Sequence, residues 1–133
     1  MTKATPKPKT ERQRWLPYVR QLADALALKD WVIEMSEDPP PTGAVAAVGA
    51  ILGRKRGCVY LSDNHLHRDC PDEQRDSIVH ELIHLHLSPF HRSVEQFRQY
   101  SAANDTLMEY AVDGLAAGIS PLLPLPPKAL HAR

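Results

Sequence analysis

His80-Glu81-Leu82-Ile83-His84 is the segment of this chain whose residue types and spacing could do chemistry. On a helix, two histidines four positions apart lie about 40° apart around the axis, one turn from each other. Their imidazole nitrogens can then meet at one metal ion, at the ~2.0–2.1 Å that zinc–nitrogen bonds need. Glu81 follows the first histidine and points beside such an ion, not at it. That is where a general base belongs, within reach of a water that the metal acidifies. Ile78, Val79, Leu82, Ile83, Leu85 and Leu87 surround the motif with apolar side chains. Two imidazoles and a carboxylate on a buried helix need partners, because unpaired buried polar groups are costly. The competing reading is a set of core histidines satisfied by ordinary hydrogen bonds.

A catalytic zinc site takes three protein ligands and keeps a fourth position open, whereas a structural site closes with four. The spacing H-E-x-x-H-x-x-G-x-x-H would need a glycine at position 87 and a histidine at position 90. Leu87 and Phe90 stand there, and His91 misses the register by one. Downstream, Met108-Glu109-Tyr110-Ala111-Val112-Asp113 puts two carboxylates four apart on one helical face. Glu109 has a rival role: Thr106-Leu107-Met108-Glu109 fits a capping box if a helix begins at Thr106, and does not if it begins earlier.

The two segments together resemble the gluzincin type of metallopeptidase, H-E-x-x-H followed by E-x-x-x-D on the next long helix. The resemblance implies that His80, His84 and Glu109 bind zinc, that Glu81 is the general base, and that Asp113 orients a ligand histidine. A carboxylate on the outer ring nitrogen fixes the tautomer and strengthens the ligand. It further implies a sheet strand beside the metal that binds substrate backbone by β-addition. Cys58 to Ser62, just before the zinc helix, is the strand expected there. Peptide hydrolysis also needs a donor for the developing oxyanion. Tyr110 and His91 are the first candidates, with Tyr100, His86 and His131 behind them. Tyr110 adjoins Glu109 but points about 100° away from it on a helix. His65 and His67 read as solvated loop histidines.

The elements that position these residues follow from periodicity. Trp15, Val19, Leu22, Leu26 and Leu28 fit one face of a helix over about 11–28. Trp31–Met35 reads as a strand entering the proline turn at 39–41. Ala44–Leu52 and Cys58–Ser62, joined through Gly53 and Gly57, read as a hairpin. Pro71 suits the first position of a helix, with Asp72 and Glu73 favouring its positive end. That helix is expected to stop before Ser88-Pro89, and a further helical region covers about 93–118. The fold class is therefore α+β, with an N-terminal helix, a small three-stranded sheet with a hairpin and two further helices; this order resembles a minimal zincin-like domain, which implies a zinc-site helix and a second ligand-bearing helix. Residues 1–10 read as a flexible basic tail, 11–119 as one metallopeptidase domain, and 120–133 as a Pro-rich C-terminal tail, an extended strap or disordered.

Composition narrows the classes without choosing among them. The 133 residues suit one domain, with a formal net charge of zero. Lys3, Lys7, Lys9, Arg12, Arg14 and Arg20 face one acid, Glu11, near the N-terminus. That arm leaves open attraction to nucleic acid, although a solvated tail is the simpler account. Cys58 and Cys70 lack C-x-x-C spacing and read as reduced thiols. No apolar run approaches the ~20 residues of a membrane span, and a cytoplasmic location is the expectation. The activity expected is that of a zinc-dependent endopeptidase acting on peptide or protein. The resemblance extends in motif and size to small phage and mobile-element peptidases. The alternative is a zinc-binding regulatory or assembly module with little hydrolysis, tethered to nucleic acid through the basic N-terminus.

Overall fold

A computed structural model describes residues 9–51, 53–96 and 102–130, and the side chains among them except those of 90–96 and 102–104. The tail expected over 1–10 thus lies almost wholly outside the described residues, as do Tyr100, His131 and the side chain of His91.

A 3-10 turn, Gln13–Trp15, leads into α1, Leu16–Ala25, whose first turn holds Pro17. Proline is tolerated there because its missing N–H would have had no helical partner. The helix buries Tyr18, Val19, Leu22 and Ala23. It stops earlier than 28 because Ala27 turns left-handed, at φ 62°. The Leu28 amide then bonds back to the Ala23 carbonyl at 2.9 Å, closing the helix end.

The sheet follows as β1, Val32–Met35, β2, Ala46–Ile51, and β3, Arg56–Leu61. Its order is β1-β3-β2. β2 and β3 form the expected antiparallel hairpin, while β1 pairs parallel to β3. β3 buries Gly57, Val59 and Leu61 and leaves Cys58 and Tyr60 half-exposed on the other face. A one-turn helix, α2 (Asp63–Leu66), is capped by the Ser62 hydroxyl, which accepts from the His65 amide at 3.1 Å.

α3 spans Pro71–Gln96 and begins at the proline, as expected. It does not end before Ser88-Pro89 but continues through Pro89. A proline within a helix leaves the carbonyl four residues back without its amide. Here that carbonyl belongs to Leu85, and the Ser88 hydroxyl donates to it at 2.9 Å. α4 spans Ala102–Ile119. Residues 103–105 thus lie within its first turn.

The core lies between the sheet and α1 and α3, built on Trp15, Leu22, Leu28, Val59, Leu61, Ile78, Leu82 and Leu85, with Val112 and Ala116 contributed by α4. The Pro-rich segment docks onto this body. Ser120–Leu122 forms a 3-10 turn, the buried Tyr18 hydroxyl donates to the Pro124 carbonyl at 2.7 Å, and Pro126 is buried. Among the described residues no helix is long and apolar enough to cross a membrane.

Candidate metal centre

α3 and α4 run antiparallel along a shared seam, and the seam brings the two sequence motifs together. His80 and His84 project from one face of α3 with their rings edge to face, 5.0 Å between centroids. Glu109 reaches across from α4. Its Oε2 stands 3.2 Å from His80 Nε2 and its Oε1 stands 3.0 Å from His84 Nε2. One turn further along α4, Asp113 Oδ1 lies 3.1 Å from His80 Nδ1. Because α4 starts at Ala102, Thr106 is inside the helix and the capping role for Glu109 falls away.

This geometry suits a metal ion on a chemical argument. A carboxylate at His80 Nδ1 accepts a hydrogen bond from the ring N–H there, and in that tautomer the lone pair of Nε2 faces the Glu109 carboxylate. Two acceptors facing at 3.2 Å repel unless a proton or a cation stands between them. Ligand atoms of a tetrahedral zinc with ~2.0–2.1 Å bonds stand about 3.3–3.4 Å apart, close to the separations already present. His80, His84 and Glu109 offer one ligand atom each, all within 4.8 Å of one another, and could hold a metal ion.

Glu81 lies beside this group and not in it, as its place one residue after His80 requires. Burial, with the negative charge of Glu109 adding to it, pushes its carboxyl up to about 7. A carboxyl titrating near neutrality can both take and return a proton.

The group opens into a cleft of about 850 Å³ whose other wall is β2. Ala46, Ala47, Val48, Ala50 and Ile51 line it opposite His80, Glu81 and His84. β3, expected beside the metal, is the central strand of the sheet. Its hydrogen-bonding edges are both taken, by β1 and β2. The free edge beside the site belongs to β2. The Ser62 amide bonds to the Val45 carbonyl at 3.0 Å. Since hydrogen-bonded pairs alternate in an antiparallel ladder, Ala46, Val48 and Ala50 turn their N–H and C=O groups outward. Chain order could not reveal this, because a hairpin strand is edge or centre according to where a distant third strand pairs.

Of the expected oxyanion donors, Tyr110 is 67% exposed on the outside of α4 and is absent from the cleft lining. His86 bonds to the Leu26 carbonyl on the far side of α3. His65 is fully buried and not solvated; its Nε2 lies 3.1 Å from the Gln74 carbonyl and its ring packs edge-on against Trp15. His67 pairs with Glu11 at 3.2 Å. Both cysteines are free. In the basic arm, Arg12 bonds to the Leu61 carbonyl and Asp63, and Arg20 to Asp24 and the carbonyls of Leu28 and Trp31. Those two cations serve the fold. Sequence reasoning missed the β2 wall and the contribution of Asp105 and Met108 to the cleft.

No family model, curated protein or solved structure matches the chain.

Proposed function

We propose that the chain is a small zinc-dependent peptidase of the gluzincin type, with the helix pair and three-stranded sheet forming a minimal zincin-like domain. The observation that carries this reading is Glu109 spanning the two Nε2 atoms while Asp113 holds Nδ1 of His80. His80, His84 and Glu109 would hold the ion beside the β2 cleft, the three protein ligands that a catalytic zinc site uses. Bound there, zinc supplies Lewis acidity that polarises a scissile carbonyl and acidifies a water.

The remaining work belongs to the chain's own residues. Asp113 keeps His80 in the tautomer that points its Nε2 lone pair at the centre. Glu81 accepts the proton of the attacking water and returns it to the departing amine, a task suited to a carboxyl near neutrality. The outward N–H and C=O groups of Ala46, Val48 and Ala50 would align an extended substrate backbone by strand addition. An open-ended edge strand suits cleavage within a chain, hence an endopeptidase. The second reading, a zinc-binding module with little hydrolysis, is favoured by one observation: Tyr110 turns out to solvent and leaves the cleft without that donor.

Metal analysis of wild type beside His80→Ala, Glu109→Ala and Glu81→Gln separates these readings. About one zinc per chain is expected in wild type, with loss in the first two variants. Glu81→Gln should keep its zinc and lose ~10²–10⁴-fold in peptide hydrolysis. Zinc-free wild type prepared without chelators would sink the metal reading. Full zinc with no cleavage of any peptide or protein would leave the binding module.

A further inference from the structure

Further along the α3–α4 seam from the metal group, Arg75, Asp76 and Ser120 form a hydrogen-bonded polar cluster in which Asp76 is half-exposed and the other two are buried. Ser120 is 1% exposed and Arg75 9%. Arg75 Nε donates to Ser120 Oγ at 3.1 Å and lies 3.1 Å from Asp76 Oδ1, while its Nη1 donates to the Leu123 carbonyl at 3.3 Å. The Ser120 hydroxyl donates in turn to Asp76. Every member is thereby bonded across the seam or along it.

The placement of this cluster follows the metal group's own faces. Asp76 precedes His80 by four residues on α3, and Ser120, the first residue of the 3-10 turn that continues from α4, follows Asp113 by seven and Glu109 by eleven. Those offsets put Ser120 within about 20° of both carboxylates around the helix axis. The seam therefore carries successive polar rungs: Asp76 with Ser120, His80 with Asp113 and Glu109, His84 with Glu109. Between them the seam presents the buried Val112 and Ala116, which offer no directional bond to fix the register. We propose that the Arg75–Asp76–Ser120 cluster is a positioning device that sets the register and tilt of α4 against α3, and so places Glu109 and Asp113 over the histidines.

The magnitudes make this consequential. Glu109 lies about 16 Å along the helix from Ser120 at 1.5 Å per residue. A tilt of about 5° at Ser120 would move it by about 1.4 Å, against a tolerance of about 0.2 Å for a metal–ligand distance. A slip of one residue along the axis is about 1.5 Å.

The proposal rests on the metal reading, and its test is built to fail separately. Zinc affinity is measured by competition with a chromophoric chelator, and the melting temperature of the metal-free protein alongside. Ser120→Ala, and Asp76→Asn as the gentler variant at a half-exposed side chain, should each weaken zinc binding about tenfold, the lower end of what losing an outer partner of a ligand does. Tyr18→Phe loosens the same C-terminal segment at Pro124, away from the seam, and should lower the melting temperature with zinc affinity unchanged. If Ser120→Ala and Asp76→Asn bind zinc as tightly as Tyr18→Phe, the positioning role is wrong while the metal site stands. If wild type takes up no zinc, both fall together.

Discussion

Asp113 bonds to one histidine of the pair and Glu81 lies beside both in the cleft lining, and their substitution should separate binding from chemistry. Asp113 bonds to the outer nitrogen of His80. Asp113→Ala should weaken zinc binding about 10–100-fold, read by chelator competition, with the helical signal in circular dichroism retained. Glu81 governs a different observable. Its carboxyl is raised by burial to about 7 in the metal-free fold, against an ordinary value near 4.5. The fold thus holds a proton there that the unfolded chain releases. Stability from this group is present below the unfolded value and is lost as pH rises through about 7. Metal-free protein should accordingly melt at lower temperature at pH 8 than at pH 5, and Glu81→Gln should flatten that slope. An unchanged slope in the variant would assign the pH dependence to other groups.

At the scale of elements, what was legible in the sequence followed local periodicity, and what was not depended on distant pairing. H-E-x-x-H and E-x-x-x-D each sit within one turn of one helix, so their faces could be read directly from spacing. That Glu109 and Asp113 both meet His80 required only that the helices pack antiparallel. The assignment of β3 to the free edge failed because β1, more than twenty residues upstream, takes its second side. The helix stop at Pro89 failed for a local reason that could have been weighed: Ser88 supplies a hydroxyl where the proline removes an amide. This yields a cycle of variants. Ser88→Ala alone should cost about 1 kcal/mol by stranding the Leu85 carbonyl. With Pro89→Ala beside it the cost should largely vanish, since the restored amide takes the same carbonyl. Chemical denaturation of the four proteins checks this. Gly57 marks a second constraint, the close approach of β3 to α3. A Cβ there would meet the Leu85 methyls at 3.0 and 3.2 Å. Leu85 is itself 1% exposed and has little room to yield. Gly57→Ala should destabilise by about 1–3 kcal/mol through overpacking against α3.

For the whole molecule, the Pro-rich segment changes from an appendage into a tie. Four prolines over 121–127 exclude a regular helix, as its sequence required, but nothing in its periodicity could say where its leucines and carbonyls would land. The structure answers with two acceptors: Pro124 takes the hydroxyl of Tyr18 on α1, and Leu123 takes the guanidinium of Arg75 on α3. Since the segment begins where α4 ends, it joins three helices that the sheet alone would connect only through α1 and α3. Tyr18 is 3% exposed, so its hydroxyl has no water to fall back on, and burial holds the phenol well above its usual titration range. Removing that hydroxyl with Tyr18→Phe loses the bond but leaves no stranded acceptor, because Pro124 is exposed and its carbonyl can be hydrated. The loss should be about 1 kcal/mol, or about 3–5 °C in melting temperature for a domain of this size. Cutting the chain after Leu122 removes the same bond, the Arg75 bond and the buried Pro126 together. Both the Tyr18 hydroxyl and one arm of Arg75 then stay behind without these partners. The truncated protein should therefore lose more than twice what Tyr18→Phe loses, and adding Tyr18→Phe to it should recover part of the deficit. That recovery, measured by thermal melting of the metal-free proteins, separates a docked tie from a segment that merely lies on the surface.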